Sequence, residues 1–119
     1  MLTLDHVQIA IPADGEAEAQ RFWGDVLGLT EIDKPAALQG RGGCWFQLGE
    51  RQLHLGVDPH FRPAKKAHIA LATSALNQVW DGLDAAGFPV HPDAPLDGRE
   101  RFYSEDPFGN RVEFIELSS

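Results

Sequence analysis

The feature that most constrains this chain is a pattern of apolar residues and turns that runs through once and then begins again. Leu4-Asp5-His6-Val7-Gln8-Ile9-Ala10-Ile11 alternates like a half-buried strand, with Val7, Ile9 and Ile11 on one face and His6, Gln8 and Ala10 on the other. After the turn at Pro12 to Gly15, a helical run extends from about Glu16 to Leu27, with Phe22 and Val26 four apart and a stop at Gly28. Three strands follow: a weak one near Leu29–Ile32, then Cys44–Leu48, and, past the turn Gly49-Glu50, Arg51–Val57.

The same order then returns. Ala67-His68-Ile69-Ala70-Leu71-Ala72 matches the first strand with histidine in the same place. A helix of roughly Ala75 to Ala86 carries Val79 and Leu83 four apart and ends at Gly87, as the first ended at Gly28. Strands near Phe88–His91, Arg101–Ser104 and Arg111–Leu117 complete the second half, the last two parted by the turn Asp106-Pro107-Phe108-Gly109-Asn110. His6 and His68 stand 62 positions apart, whereas Gly28 and Gly87, like His54 and Glu113, stand 59 apart, a contraction of three residues before or within the second helix. Both halves read βαβββ, so the expected fold class is α+β, with two tandem modules of about residues 1–60 and 64–119. At 119 residues these make one domain of ordinary size.

Composition narrows the function. At 43% hydrophobic and 24% charged the chain should fold throughout. A formal net charge of −8 argues against nucleic acid, whose phosphates call for clustered Lys and Arg. The single cysteine, Cys44, allows no internal disulfide and reads as a small buried hydrophobe. The opening MLTLDHVQIAIPADG lacks the basic start and long apolar run of a signal peptide, and no stretch approaches the ~18 apolar residues of a membrane span, so a cytoplasmic protein without a membrane partner is expected.

Side chains alternate across a strand, and four polar residues share one parity: His6 opposes Val7 and Ile9, His54 opposes Leu53 and Leu55, His68 opposes Ile69 and Leu71, and Glu113 opposes Val112 and Phe114. If the apolar residues pack on the helices, all four point to the other face, and the repeat pairs His6 with His68 and His54 with Glu113. A lone strand histidine is more often a hydrogen-bonded structural residue than a ligand; here parity and repeat position agree for the whole set. Two imidazoles and a carboxylate, His6, His68 and Glu113, suit one divalent metal (iron, manganese, nickel or zinc) and leave positions open for a chelating substrate. His54 stands as ligand, base or pocket wall. Glu113 counts both as a ligand and, with His54, as a catalytic candidate. Arg99 and Arg101 are available for a substrate carboxylate or phosphate, and Trp45, Phe46, Phe102 and Tyr103 for an apolar wall. Arginines are more often solvated and aromatics more often core. His60, in a polar linker, and His91, beside Pro92 in a loop-like segment, read as surface residues, and Glu116 falls on the wrong strand face.

Three segments carry a family resemblance: Leu4-Asp5-His6-Val7; Phe22-Trp23-Gly24-Asp25-Val26-Leu27-Gly28-Leu29; and, most specifically, Asp106-Pro107-Phe108-Gly109-Asn110-Arg111-Val112-Glu113. Over nearly its whole length the chain resembles the vicinal oxygen chelate superfamily, which includes glyoxalase I, extradiol dioxygenases, fosfomycin-resistance enzymes and bleomycin-resistance proteins. The resemblance implies that paired βαβββ modules form a cupped mixed sheet around a divalent metal, with His6, His68 and Glu113 in ligand positions. It also implies a homodimer whose sites draw on both chains.

The departures matter as much. Bacterial-type glyoxalase I would have glutamate where His54 stands, so only one of its two proton-shuttling carboxylates remains. The segment Asp97-Gly98-Arg99-Glu100-Arg101-Phe102-Tyr103 lacks the serine-rich potassium loop of the best-known fosfomycin enzymes. Well-known extradiol dioxygenases are longer, with extra histidine and tyrosine near the ring, parts that His54 and Tyr103 resemble by analogy. The expected function is metal-assisted chemistry, of lyase, isomerase or dioxygenase type, on a small molecule that chelates through two neighbouring oxygens. The rivals are a metal-free, bleomycin-resistance-like protein that sequesters a ligand, and a metal or structural module without turnover.

Overall fold

Strand β1 (His6–Ile11) buries Ile11 fully and Val7 and Ile9 partly, while His6 and Gln8 stay exposed, the alternation its sequence predicts. In the computed structural model, which describes residues 1–118, the chain divides into two compact units, Met1–Arg62 and the remainder from Pro63. In the first, β1 lies parallel to β4 (Arg51–Val57), which pairs antiparallel with β3 (Cys44–Leu48), and β3 pairs with β2 (Thr30–Ile32), giving the order β1-β4-β3-β2. A parallel neighbour for β1 requires a crossover, which the helix supplies. That helix starts as α1 (Glu16–Ala19) and runs on into a π-helical stretch, Gln20–Val26, where the Leu27 N–H donates to the Phe22 carbonyl five residues back at 3.0 Å. The wider winding was not legible in the sequence. Ala19, Phe22 and Trp23 are buried, with Phe46, Leu53 and Leu55 of the sheet as the core.

The second unit repeats this order. β5 (Ile69–Thr73) is parallel to β8 (Arg111–Glu116), and β8, β7 (Arg99–Glu105) and β6 (His91–Leu96) continue antiparallel, giving β5-β8-β7-β6. Helix α2 (Leu76–Ala85) makes the crossover, with Leu83 buried and Trp80 edge-on to Phe102 at 5.1 Å. Both crossovers stop at a glycine with positive φ, +80° at Gly28 and +87° at Gly87, a region other residues rarely enter. The fold is α+β, two four-stranded mixed sheets in tandem βαβββ modules.

Three boundaries differ from expectation. His68 stands one residue ahead of β5 rather than inside it. The strand expected near residues 88–91 begins at His91 instead, because the Phe88 N–H donates to the Leu83 carbonyl at 2.9 Å and so finishes the helix. His91, expected in a loop, opposes Tyr103 in β6, and this edge strand tolerates Pro92 and Pro95 because it has one neighbour only.

Candidate metal centre

In the first module the strand order puts three rings in a row. His54 on β4 stacks on His6 of β1 with centroids 4.2 Å apart and on Trp45 of β3 at 3.6 Å, with the Trp45 and His54 planes within 2°. Trp45 and His54 are direct cross-strand partners, so the sheet sets that stack. His54 is 5% exposed. Burial first, and then the neighbouring His6, hold its pKa below the ordinary 6.5, so its imidazole is neutral at pH 7. Its Nε2 donates to Gln52 Oε1 at 2.9 Å, which leaves the Nδ1 lone pair available. His6 has the other tautomer: Nδ1 donates to Asp5 Oδ2 at 2.9 Å, leaving Nε2 free to bind. The same hydrogen bond, followed by the histidine's charge, holds the Asp5 carboxyl below its usual range.

In the second module His68 Nδ1 donates to the Lys66 carbonyl at 2.8 Å, and its Nε2 stands 2.9 Å from Glu113 Oε1. Glu113 is 4% exposed, and its second oxygen lies 3.5 Å from Arg101 Nη1. Arg101 also donates to the Tyr103 hydroxyl at 2.8 Å, and the Tyr103 ring meets His68 edge-on at 5.2 Å, with the Arg111 guanidinium 3.8 Å above its centroid. The turn before β8 anchors this arrangement. Asp106 Oδ1 accepts from Phe108 N at 2.9 Å and Asn110 N at 2.8 Å, and Asn110 Oδ1 accepts from Ala64 N at 2.9 Å. The Arg111 N–H closes the clamp on the Ala64 carbonyl at 2.8 Å, so the approach to β5, which carries His68, is tied to the start of β8, which carries Glu113. Burial pushes the Asp106 carboxyl up despite these donors.

The two halves correspond. Gln8 opposes His54 and Ala70 opposes Glu113 across the parallel pairs, while Trp45 opposes His54 and Tyr103 opposes Glu113 across the antiparallel ones. His6, His54 and Trp45 thus occupy the positions of His68, Glu113 and Tyr103. Phe46 and Phe102 stand on the helix side, 1% and 2% exposed, so an aromatic wall beside the histidines falls to Trp45 and Tyr103. Arg99 donates to the Glu116 carbonyl at 3.3 Å, and Arg101 is held by Glu113, Tyr103 and Asp93. Among the described residues, no three His, Cys, Asp or Glu side chains gather where they would hold a metal; the second module pairs His68 with Glu113, and His6 stands in the first. Asp5, Gln52 and the Lys66 carbonyl, which fix the three tautomers, were missed in the sequence; only Asp5, adjacent to His6, left a signal there.

These donors fit a divalent ion. Two ligand atoms about 2.1 Å from a metal and at right angles stand about 3 Å apart, close to the 2.9 Å between His68 Nε2 and Glu113 Oε1. Both candidate histidines have Nδ1 tied to an oxygen, the outer-shell arrangement that orients a ligating imidazole.

The family model described as the Glyoxalase/Bleomycin resistance protein/Dioxygenase superfamily matches residues 3–114. The chain belongs to this superfamily. A solved glyoxalase family protein from Bacillus anthracis is 42% identical, with 99% of this chain and 97% of that one covered at a TM-score of 0.93. Two more distant superfamily structures share the fold. A lactoylglutathione lyase from Agrobacterium tumefaciens is 22% identical, covering 96% and 92% with a TM-score of 0.74. The fosfomycin resistance protein FosX from Listeria monocytogenes is 13% identical, covering 99% and 95% with a TM-score of 0.79. No curated protein matches the chain. Among the described residues, no helix is long and apolar enough to cross a membrane.

Proposed function

We propose that the chain is a metal-dependent enzyme acting on a small molecule that chelates through two neighbouring oxygens, with His6, His68 and Glu113 as the metal's ligands. The observation that carries this reading is the 2.9 Å approach of His68 Nε2 to Glu113 Oε1, made while a carbonyl occupies His68 Nδ1. A divalent ion held there would supply Lewis-acid polarisation of a bound oxygen, favouring loss of a proton from the adjacent carbon. His54, neutral and buried with its Nδ1 lone pair unused by Gln52, is assigned as the base that takes that proton. Trp45 and Tyr103 are assigned as aromatic walls, and Arg101 as the residue that positions Glu113. Because the ligands divide between modules, the site is assigned to a homodimer, in which one chain's module can complete another's. Loss of bound metal in His68→Ala, with retained fold, tests the assignment.

One observation favours the second reading, a metal-free protein that sequesters its ligand: His68 and Glu113 contact each other directly at 2.9 Å. The superfamily includes the bleomycin-resistance proteins by its own description. Metal content after reconstitution separates the two.

A further inference from the structure

One difference between the modules on the histidine-bearing face changes its depth. One step along the strands from His6 and His54 stand Gln8 and Gly56. Ala10 opposes Gly56 and, in the repeat, Ala72 opposes Ile115, so glycine in the first module replaces a buried isoleucine of the second. Gln8 settles into the vacated room: a Cβ on Gly56 would come within 2.8 Å of its Nε2. The connections differ as well. β6 and β7 are joined by residues 97–98, whereas β2 and β3 are joined by residues 33–43, which include a 3-10 turn at Ala36–Arg41. Gly43 returns this longer connection against β4; its φ is +82°, and a Cβ there would collide with the Leu55 carbonyl.

Together the missing side chain and the added segment enclose a cavity of about 180 Å³, with Gln8, Trp45 and Gly56 on the sheet side and Lys34, Leu38 and Arg41 on the other. No acidic side chain lines it, and among the described residues neither Lys34 nor Arg41 is in an ion pair. The Lys34 ammonium donates to the Gly42 carbonyl, which holds it at the rim. Two cations beside an aromatic ring and an aliphatic floor, in a chain of net charge −8, form a local exception that suits a small anion. At ~30 Å³ of liquid volume per water, the space takes a body of a few carbons.

We propose that this cavity is an anion-binding subsite, taking the carboxylate or phosphonate end of a small organic molecule whose short apolar body lies on Trp45. The assignment rests on the reading above that this face serves the active site, and it makes the substrate class a short-chain organic anion. The anion lies against Lys34 and Arg41, while Trp45, which lines the cavity, is also the ring stacked on His54.

The test uses the full chain labelled with nitrogen-15 and three short-chain probes, butanoate, propylphosphonate and butanamide, none of which carries oxygens on adjacent carbons. Binding is read from the Trp45 indole and Gly42 and Gly43 amide signals, with and without EDTA. The expected result is saturable binding of an anion in both conditions, about tenfold weaker for butanamide and about tenfold weaker in Lys34→Gln/Arg41→Gln; the tighter anion identifies the head group. Gly56→Ile, which places the second module's side chain on the floor, should weaken both anions. Equal binding of amide and acid, no saturation, or unchanged affinity in the double variant overturns the subsite. Binding lost only with EDTA overturns it too while sparing the metal reading, and binding that persists in His6→Ala/His68→Ala/Glu113→Ala stands without it.

Discussion

His68 Nε2 lies 2.9 Å from Glu113 Oε1, and the Lys66 carbonyl holds the other ring nitrogen at 2.8 Å. Its repeat counterpart, His6, is held in the same tautomer by Asp5 rather than by a carbonyl. Two modules with different local sequences therefore present the same imidazole nitrogen for binding.

That difference is testable, because a carbonyl cannot be mutated away and Asp5 can. Asp5→Ala should leave folding unchanged, since the carboxylate is exposed, while metal affinity falls about 10- to 100-fold, the usual effect of losing an outer-shell partner. Competition with a chelating dye measures it.

The lowered pKa of His54 makes a prediction about pH. A histidine depressed in the fold favours the neutral state, so its contribution to stability is present above its unfolded value of 6.5 and is lost as pH falls through the folded value. Thermal melts of metal-free protein between pH 8 and pH 5 should show a fall that His54→Gln reduces. An imidazole titration in which His54 ionises at or above 6.5 would contradict this.

Asn110 joins two segments, bonding Asp106 within the turn and Ala64 across to β5's approach. Asn110→Ala should cost about 2–3 kcal/mol in urea unfolding, because it leaves buried polar partners unsatisfied. It should also loosen metal binding by freeing His68 from Glu113, whereas a surface change such as Glu50→Gln should do neither.

Cys44 begins β3 and is buried, and burial pushes its thiol up to about 12. It should resist a thiol reagent at pH 8 in the native state and react at once in denaturant. Because the thiolate forms near its ordinary value of 9.0 only in the unfolded chain, stability from this group is full below that pH and is lost as pH climbs toward 12.

The tandem order, the positions of six of the eight strands and the two glycine stops were legible because alternation and positive-φ punctuation are local signals. β3 and β4 match their expected ranges residue for residue. The π-helical winding at Gln20–Val26 and the late start of β6 were not, since each depends on which carbonyl a given N–H finds in three dimensions. For the site, parity separated His54 and Glu113 from their apolar neighbours, but it also predicts that Phe46 and Phe102 leave the histidine face, a consequence their aromatic character obscured. Lys34 and Arg41 were invisible in the sequence because only the fold brings residues 34–41 over Gly56.

The central claim is that His6, His68 and Glu113 hold a metal. Elemental mass spectrometry on untagged protein, beside His6→Ala/His68→Ala/Glu113→Ala shown to be folded by circular dichroism, tests it most directly. The account predicts about one transition metal ion per site in the wild type and almost none in the variant. Equal metal in both, or none in the wild type after reconstitution with iron, manganese, nickel and zinc in turn, would contradict it.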